Sequence, residues 1–284
     1  MILKKYQKAF SLVELSMVIL IIGILIAGVS QGIDLYEDFR INTAKTLTLN
    51  SRAGRIPDLV SWIETSMNNS FDDVEEKDGL TLTNWYDINP IITPNSKKNF
   101  TQASSGSRPF YFKNVSNGLP AVKFDSGRNL VFDGGILVNT DFTMFIVERK
   151  LSNSATWIFH PGVGGCGTNQ CFHSGYRNDK DFTIDFYSYG IDYVNDNLAG
   201  TKTRIHTLFF SKIQGQKYWL NGGENPDFSD SLKISSISSS TTNKLGQFFT
   251  GYIFEIIYYN RAIYENERID IEKYLSKKYN IPII

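Results

Sequence analysis

Residues 10–29 read FSLVELSMVILIIGILIAGV, and Glu14 is the only charged side chain among them. As a helix this run is about 30 Å long, the thickness of a bilayer's hydrocarbon core. Residues 17–29 contain no polar side chain, whereas a helix of a soluble domain keeps a polar stripe facing water. The run therefore needs lipid or other apolar helices around it. Lys4, Lys5 and Lys8 precede it with no acid in the first nine positions, which keeps that end cytoplasmic and sends the carboxyl-terminal bulk across the membrane. A removable secretory signal, cut near Ala27-Gly28-Val29, shares this outline. Glu14 argues against it: an ionised carboxylate in lipid costs several kcal/mol unless something pairs with it, and a discarded signal has no use for one.

The string Lys8-Ala9-Phe10-Ser11-Leu12-Val13-Glu14-Leu15 resembles the cleavage and methylation site of type IV prepilins and type II secretion pseudopilins. The resemblance implies a cut by prepilin peptidase between Ala9 and Phe10, N-methylation of Phe10, and an assembly role for Glu14 as the fifth mature residue. Two departures stand out. Ala9 replaces the Gly usual before the cut, and Gln31 replaces a Pro found in many pilins, so no proline kink is expected there. The physical logic can be stated separately. Cleavage frees an α-amine at Phe10, and Glu14 of an adjacent subunit can neutralise it, so two groups costly alone in an apolar filament core satisfy each other.

Gly23 with Ala27, and Gly28 with Gly32, sit at the four-residue spacing that lets helices approach closely, although glycine is also common in membrane helices generally. Past Val29, the apolar positions Ile33, Leu35, Tyr36, Phe39, Ala44 and Leu47 continue at helical spacing. Gly54 and Pro57 then supply a stop. The expected organisation is a cleaved leader over 1–9, a helix over 10–53 with 10–29 in the membrane or filament core, and a separate body over 54–284.

The body reads as β-structure. Short apolar or alternating runs over 121–124, 142–148, 156–159, 182–187, 204–213, 217–220 and 247–259 are separated by Gly, Asn, Asp and Ser. Asn221-Gly222-Gly223 marks a hairpin connection after one of them. Tyr (15), Phe (20) and Trp (4) against 20% charged residues exclude disorder and a coiled coil. Lys+Arg and Asp+Glu balance at 29 each, without the basic excess that a general nucleic-acid binder needs. Strands at this density predict two packed sheets. The strings Leu59-Val60-Ser61-Trp62, Asn84-Trp85-Tyr86-Asp87, the run over 117–125 and the run over 254–262 resemble the concanavalin-A-like or laminin-G-like jelly roll. That resemblance implies a mainly β, antiparallel two-sheet sandwich closed by a helix near 265–278, with Ile271, Tyr274 and Leu275 on the sheet. It is poor for function, because one fold hosts lectins, glycosidases, adhesins and spacers. Ser235 to Thr242 (SSISSSTT) reads as a surface loop or edge strand.

Few constellations carry chemistry. Cys166 and Cys171, outside a reducing compartment, pair as a local disulfide, or join His160 and His173 as a tetrahedral zinc set. The spacing matches no standard finger, which favours the bridge. Asp125, Asn129 and Asp133 could line a calcium site, as in some laminin-G-like domains, but such residues also populate ordinary turns. Tyr187, Tyr189, Tyr193 and Trp219 could stack on sugar, or serve as core and cross-strand pairs. Glycan cleavage needs two flanking carboxylates. The E-x-D-x-x-E triplet of jelly-roll glucanases is missing, Glu255 stands alone in its strand, and Glu265, Glu267, Asp270 and Glu272 read as a solvated helix face. His206, within an apolar run, reads as structural. With no nucleophile elbow, phosphate loop or dinucleotide fingerprint, the expectation is a non-enzymatic pilin-like subunit without a cofactor. A minor or tip subunit displaying its sandwich outside the cytoplasmic membrane fits best. The rivals are a carbohydrate-binding adhesin on a pilin anchor and an anchored glycan hydrolase.

Overall fold

The computed structural model describes residues 11–125, 127–161, 166–187, 189–239 and 243–283. Helix α1 spans Leu12–Asn50 as a single element of 39 residues, about 58 Å long. Ser11 caps it and Gln31 passes without a break, as expected where proline is missing. The described body is two antiparallel sheets of eight strands each.

One sheet runs in the order β14 (Phe228–Asp230), β13 (Gly215–Leu220), β12 (Arg204–Ser211), β7 (Phe142–Lys150), β16 (Gly251–Tyr259), β5 (Leu119–Phe124), β4 (Phe110–Ser116). Strand β1 (Leu59–Glu64) pairs with the second half of β16, beside the stretch that β5 covers. The other sheet runs β11 (Gly190–Val194), β10 (Asp181–Asp185), β9 (His173–Asn178), β8 (Thr156–His160), β15 (Lys244–Phe248), β6 (Leu130–Val131), β3 (Phe100–Thr101), β2 (Asn84–Trp85). The run expected as one strand over 247–259 is two, since β15 ends at Phe248 in the second sheet and the chain crosses at Phe249 and Thr250 to begin β16 in the first. Asn117-Gly118, with φ values of 54° and 72°, forms the tight turn between β4 and β5. Asn221-Gly222-Gly223, all at positive φ, open the longer connection from β13 to β14.

The facing sides of the two sheets enclose one aromatic-rich core, including Trp85, Phe124, Phe142 and Phe159. A second core lies outside the first sheet. Helix α2 (Glu265–Tyr279) packs Ile271, Tyr274 and Leu275 there, against Phe145, Phe254 and Ile257, and α1 adds Ala44. The first sheet's outer face is thus covered by helices, while no described helix packs across the second sheet.

His206 is buried in the inner core, where its Nδ1 lies 2.7 Å from the Tyr218 hydroxyl and its Nε2 lies 2.9 Å from Glu148. A neutral ring satisfies both contacts, with Nε2–H donating to the carboxylate and Tyr218 donating to Nδ1. Burial pushes the His206 imidazole down despite Glu148. Burial likewise lowers His173, and burial with neighbouring His173 takes His160 to about 4. These are the protein's three histidines. As pH falls through about 6.5 the unfolded chain takes up protons that the native fold refuses, so native stability falls. The urea midpoint is expected to be lower at pH 5.5 than at pH 7.5. A His206→Gln variant, compared with the parent across the same interval, should lose part of that dependence.

Candidate functional site

Residues 11–33 of α1 are exposed along their whole length and touch nothing in the body. At the amino end Ser11 Oγ accepts from Glu14 N–H and the Glu14 carboxylate accepts from Ser11 N–H at 2.8 Å, a reciprocal capping box. Gly23, Gly28 and Gly32 have nothing within 4 Å of where a Cβ would sit, and Ala27 is exposed beside them. This strip is open for another helix to approach. Ala9 and Phe10 lie outside the described residues. The apolar stripe expected to continue past Val29 does so without cover: Ile33, Leu35, Tyr36 and Phe39 are exposed. The helix meets the sandwich from Glu37 onward, where the Glu37 carboxylate accepts from Asn114 Nδ2 of β4 at 3.0 Å. Arg40 donates from Nε and Nη2 to the Asn117 carbonyl at 3.1 and 2.9 Å, Ala44 and Thr48 are buried, and Arg52 pairs with Asp270.

Beneath this junction lies a buried ionic cluster. Glu64 on β1 stands directly opposite Glu255 on β16, and like charges so placed repel. Lys278 of α2 resolves the conflict, donating to Glu64 at 2.7 Å, Glu255 at 2.8 Å and Thr48 Oγ1 of α1 at 2.8 Å. All three charged side chains are fully enclosed. Glu255 also accepts from Trp62 Nε1, Tyr274 and Tyr279, and Glu64 from Ser66 and Ser70. Burial opposes both charge states. Even so, Lys278 and the Ser66 bonds hold the Glu64 carboxyl below its usual range, and Glu255 with Glu64 holds the Lys278 ammonium above its own. Glu255 is therefore not the isolated acid that its strand suggested. Its position in an apolar strand was the one signal of the cluster; Glu64 and Lys278 carried none.

The other expected sites fall as follows. Cys166 and Cys171 are bonded to each other, so a zinc set using their thiolates is overturned. His160 and His173 are nevertheless adjacent, with ring centroids 4.9 Å apart. Asp133 pairs with Lys98 and caps Gly135, Asp125 pairs with Lys123, and Asn129 bonds Gln102 and Gly127. Their polar atoms are directed to separate partners. Glu267 and Glu272 are buried, against the expectation of a solvated face. Glu267 is bound to Arg261, and Glu272 to Arg268 and Thr207. Burial raises the Glu272 carboxyl in spite of Arg268. Tyr193 and Trp219 are buried and Arg268 covers the Trp219 ring at 4.3 Å, while Tyr187 is exposed.

Residues 4–30 match the family model described as the prokaryotic N-terminal methylation motif. The protein opens with a prepilin-type methylation motif. That segment contains the capping box and the first three small residues described above, and it ends before the helix reaches the body. No curated protein matches the chain. Among solved structures, a botulinum neurotoxin type C structure, described as dependent for cell entry on two ganglioside molecules, aligns at 11% identity and TM-score 0.50, covering 79% of this chain and 53% of that one. Domain 4 of the extracellular arabinanase AbnA from Geobacillus stearothermophilus, solved with arabinotriose, aligns at 12% identity and TM-score 0.48, covering 76% and 98%. Trypanosoma rangeli sialidase aligns at 12% identity and TM-score 0.46, covering 78% of this chain and 33% of that one. The chain thus spans about a third of the sialidase and about half of the neurotoxin structure. At such identities the likeness is one of fold: a β-sandwich behind a prepilin-type helix.

Proposed function

We propose that the chain is a type IV pilin-like or pseudopilin-like subunit. Prepilin peptidase removes residues 1–9 by cutting between Ala9 and Phe10, and Phe10 is methylated. The helix over 10–53 is first held in the cytoplasmic membrane through 10–29 and then drawn into a filament, with the body over 54–284 outside. The observation that carries this reading is the prepilin-type motif on a helix whose apolar residues over 11–33 are left entirely uncovered by its own body. Lipid covers that surface before assembly, and neighbouring helices cover it afterwards. Gly23, Ala27, Gly28 and Gly32 mark the side of closest approach. The body is large for the helix that carries it, which favours a minor or tip subunit for adhesion or secretion over a densely packed major one. The role is non-enzymatic: of the acids considered for hydrolysis, Glu255, Glu267 and Glu272 are buried in ion pairs and hydrogen bonds, Asp270 pairs with Arg52, and Glu265 is exposed on α2.

Mass spectrometry of the mature amino terminus tests this directly. In cells with prepilin peptidase the chain is expected to begin at Phe10 and carry one added methyl group; without the peptidase the leader should remain. A product beginning near residue 30 would overturn the reading.

A second reading, that the sandwich is a carbohydrate-binding adhesin carried on the helix, is favoured by one observation: rings gathered on the uncovered face of the second sheet.

A further inference from the structure

The outer face of the second sheet is unlike an ordinary solvated face. Trp157 on β8 stands opposite Gly175 on β9, so no side chain competes with the indole across the pair. A Cβ at Gly175 would lie 2.5 Å from the Thr156 carbonyl, which fixes that position as glycine. Around Trp157 lie His173, at 5.7 Å between centroids, and His160, at 6.4 Å. Phe248 of β15 packs on His160 at 4.5 Å, and Tyr187 leans over His173 at 5.9 Å. Phe248 and Tyr187 are 45% and 40% exposed. Five rings thus form one connected surface where strands usually present polar side chains to water.

Two further observations point to a ligand. Tyr187 holds φ at +59°, a conformation that costs a bulky residue energy and that gathers at binding sites. Among the described residues, His173 Nδ1 is enclosed without a hydrogen-bond partner. Beside the rings Arg177 lies 5.8 Å from the Trp157 centroid and is held by Asp192 at 2.9 Å and Asp185 at 3.6 Å. This places a polar, planar group at the edge of the aromatic surface.

We propose that this face binds a glycan free of carboxylate, sulfate or phosphate groups, with Trp157 and Tyr187 as stacking platforms and Arg177 with Asp192 addressing hydroxyls. The proposal deepens the adhesin reading and rests on it. The polar edge selects a sugar over an apolar partner, because a pyranose has an apolar C–H face for the rings and a hydroxyl rim for the charged pair. Charge selects the class of sugar. Three carboxylates, Asp181, Asp185 and Asp192, act on Arg177, and Lys244 opposite His160 adds a second cation. Burial keeps His160 and His173 uncharged at neutral pH. The face is therefore mildly acidic and repels acidic sugars.

The test is an array of paired neutral, sialylated and glucuronate-bearing oligosaccharides, probed with the full chain in detergent. Neutral members should bind and their acidic counterparts should not. Trp157→Ala and Tyr187→Ala should each weaken binding by about tenfold, the loss of one good aromatic contact, while Tyr264→Ala, far along the chain near α2, should leave it unchanged. The thermal midpoint of each variant separates lost contact from lost fold, and exposed Tyr187 keeps the test open if Trp157→Ala unfolds. A blank array, a preference for acidic sugars, or binding indifferent to both substitutions in folded protein overturns the proposal. A blank array with copies of the chain cross-linking to each other through this face assigns it instead to self-association. Correct processing at Phe10 with a blank array removes the glycan alone, whereas binding without processing removes the pilin reading alone.

Discussion

Replacing Lys278 with methionine is expected to cost about 3–5 kcal/mol of stability, as removal of one partner from a buried ion pair does. The expectation follows from geometry. Glu64 and Glu255 are fixed opposite each other by strand register, and Lys278 is the cation bonded to both. Methionine fills the space of the lysine stem and leaves two enclosed carboxylates repelling each other. Set against a typical domain stability of about 5–15 kcal/mol, the loss is large enough to read in a urea titration or a thermal melt. A loss below about 1 kcal/mol, the range of a surface pair, would show that the cluster does not hold the junction.

The pH dependence of that variant has a defined sign. In the parent, Glu64 is held below its ordinary value, so its contribution is present above pH 4.5 and lost as pH falls through the folded value. Lys278 is held above its ordinary value, so its contribution is present below pH 10.5 and lost as pH rises through the folded value. Without the lysine, burial and the facing Glu255 act on the Glu64 carboxyl against the Ser66 bonds alone and drive its folded value up. Its protonation on acidification then relieves the variant while it weakens the parent. The stability gap between the two proteins should narrow from pH 7 to pH 5, although the three histidines lower both. The cluster also has a mechanical meaning. Lys278 bonds Thr48 of α1 as well as the two sheet acids, so α1 is tied to the strands of the body at one buried point.

How far the residues foretold this varies with the kind of interaction. The amino-terminal helix was legible because a run of twenty residues with one charge admits few folds. The strands over 121–124, 142–148 and 204–213 were legible because β-branched and aromatic runs bounded by turn residues have a single local solution, and the closing helix because its apolar positions keep a helical period. The break between β15 and β16 was not, since the chain changes sheets at Phe249 and Thr250 inside a run that reads as one strand. The Glu64–Glu255–Lys278 cluster joins residues up to 214 positions apart, and no local pattern encodes that. The burial of Glu267 and Glu272 was hidden as well: helical spacing marks them as an acidic face and sets Arg268 one turn before Glu272, but not that Arg261 ahead of the helix and Thr207 of β12 receive them. The ring surface on the second sheet depends on which strands become neighbours, so of its members only Tyr187 was a candidate for sugar contact, alongside two residues, Tyr193 and Trp219, that the fold buries.

Substituting Glu14 with alanine is expected to abolish incorporation into the filament while leaving membrane insertion intact. Insertion depends on the apolar run of 10–29, which alanine lengthens rather than interrupts. Assembly places that run among other helices, where the α-amine of a neighbouring Phe10 is as costly unpaired as the carboxylate is. Removing one partner of such a pair at about 3–5 kcal/mol corresponds to a drop in incorporation of about two to four orders of magnitude. The capping box gives Glu14 a second duty, since its carboxylate bonds Ser11 N–H and fastens the first turn of α1. Glu14→Gln separates the two roles: an amide oxygen still accepts from Ser11 N–H, but it carries no charge. If the pairing governs assembly, both variants fail in sheared-filament fractions while both remain in the membrane fraction. If the cap alone matters, glutamine restores incorporation and alanine does not. Normal incorporation of the alanine variant would leave Glu14 without a part in assembly, and the burial of a charge in this helix would need another cause.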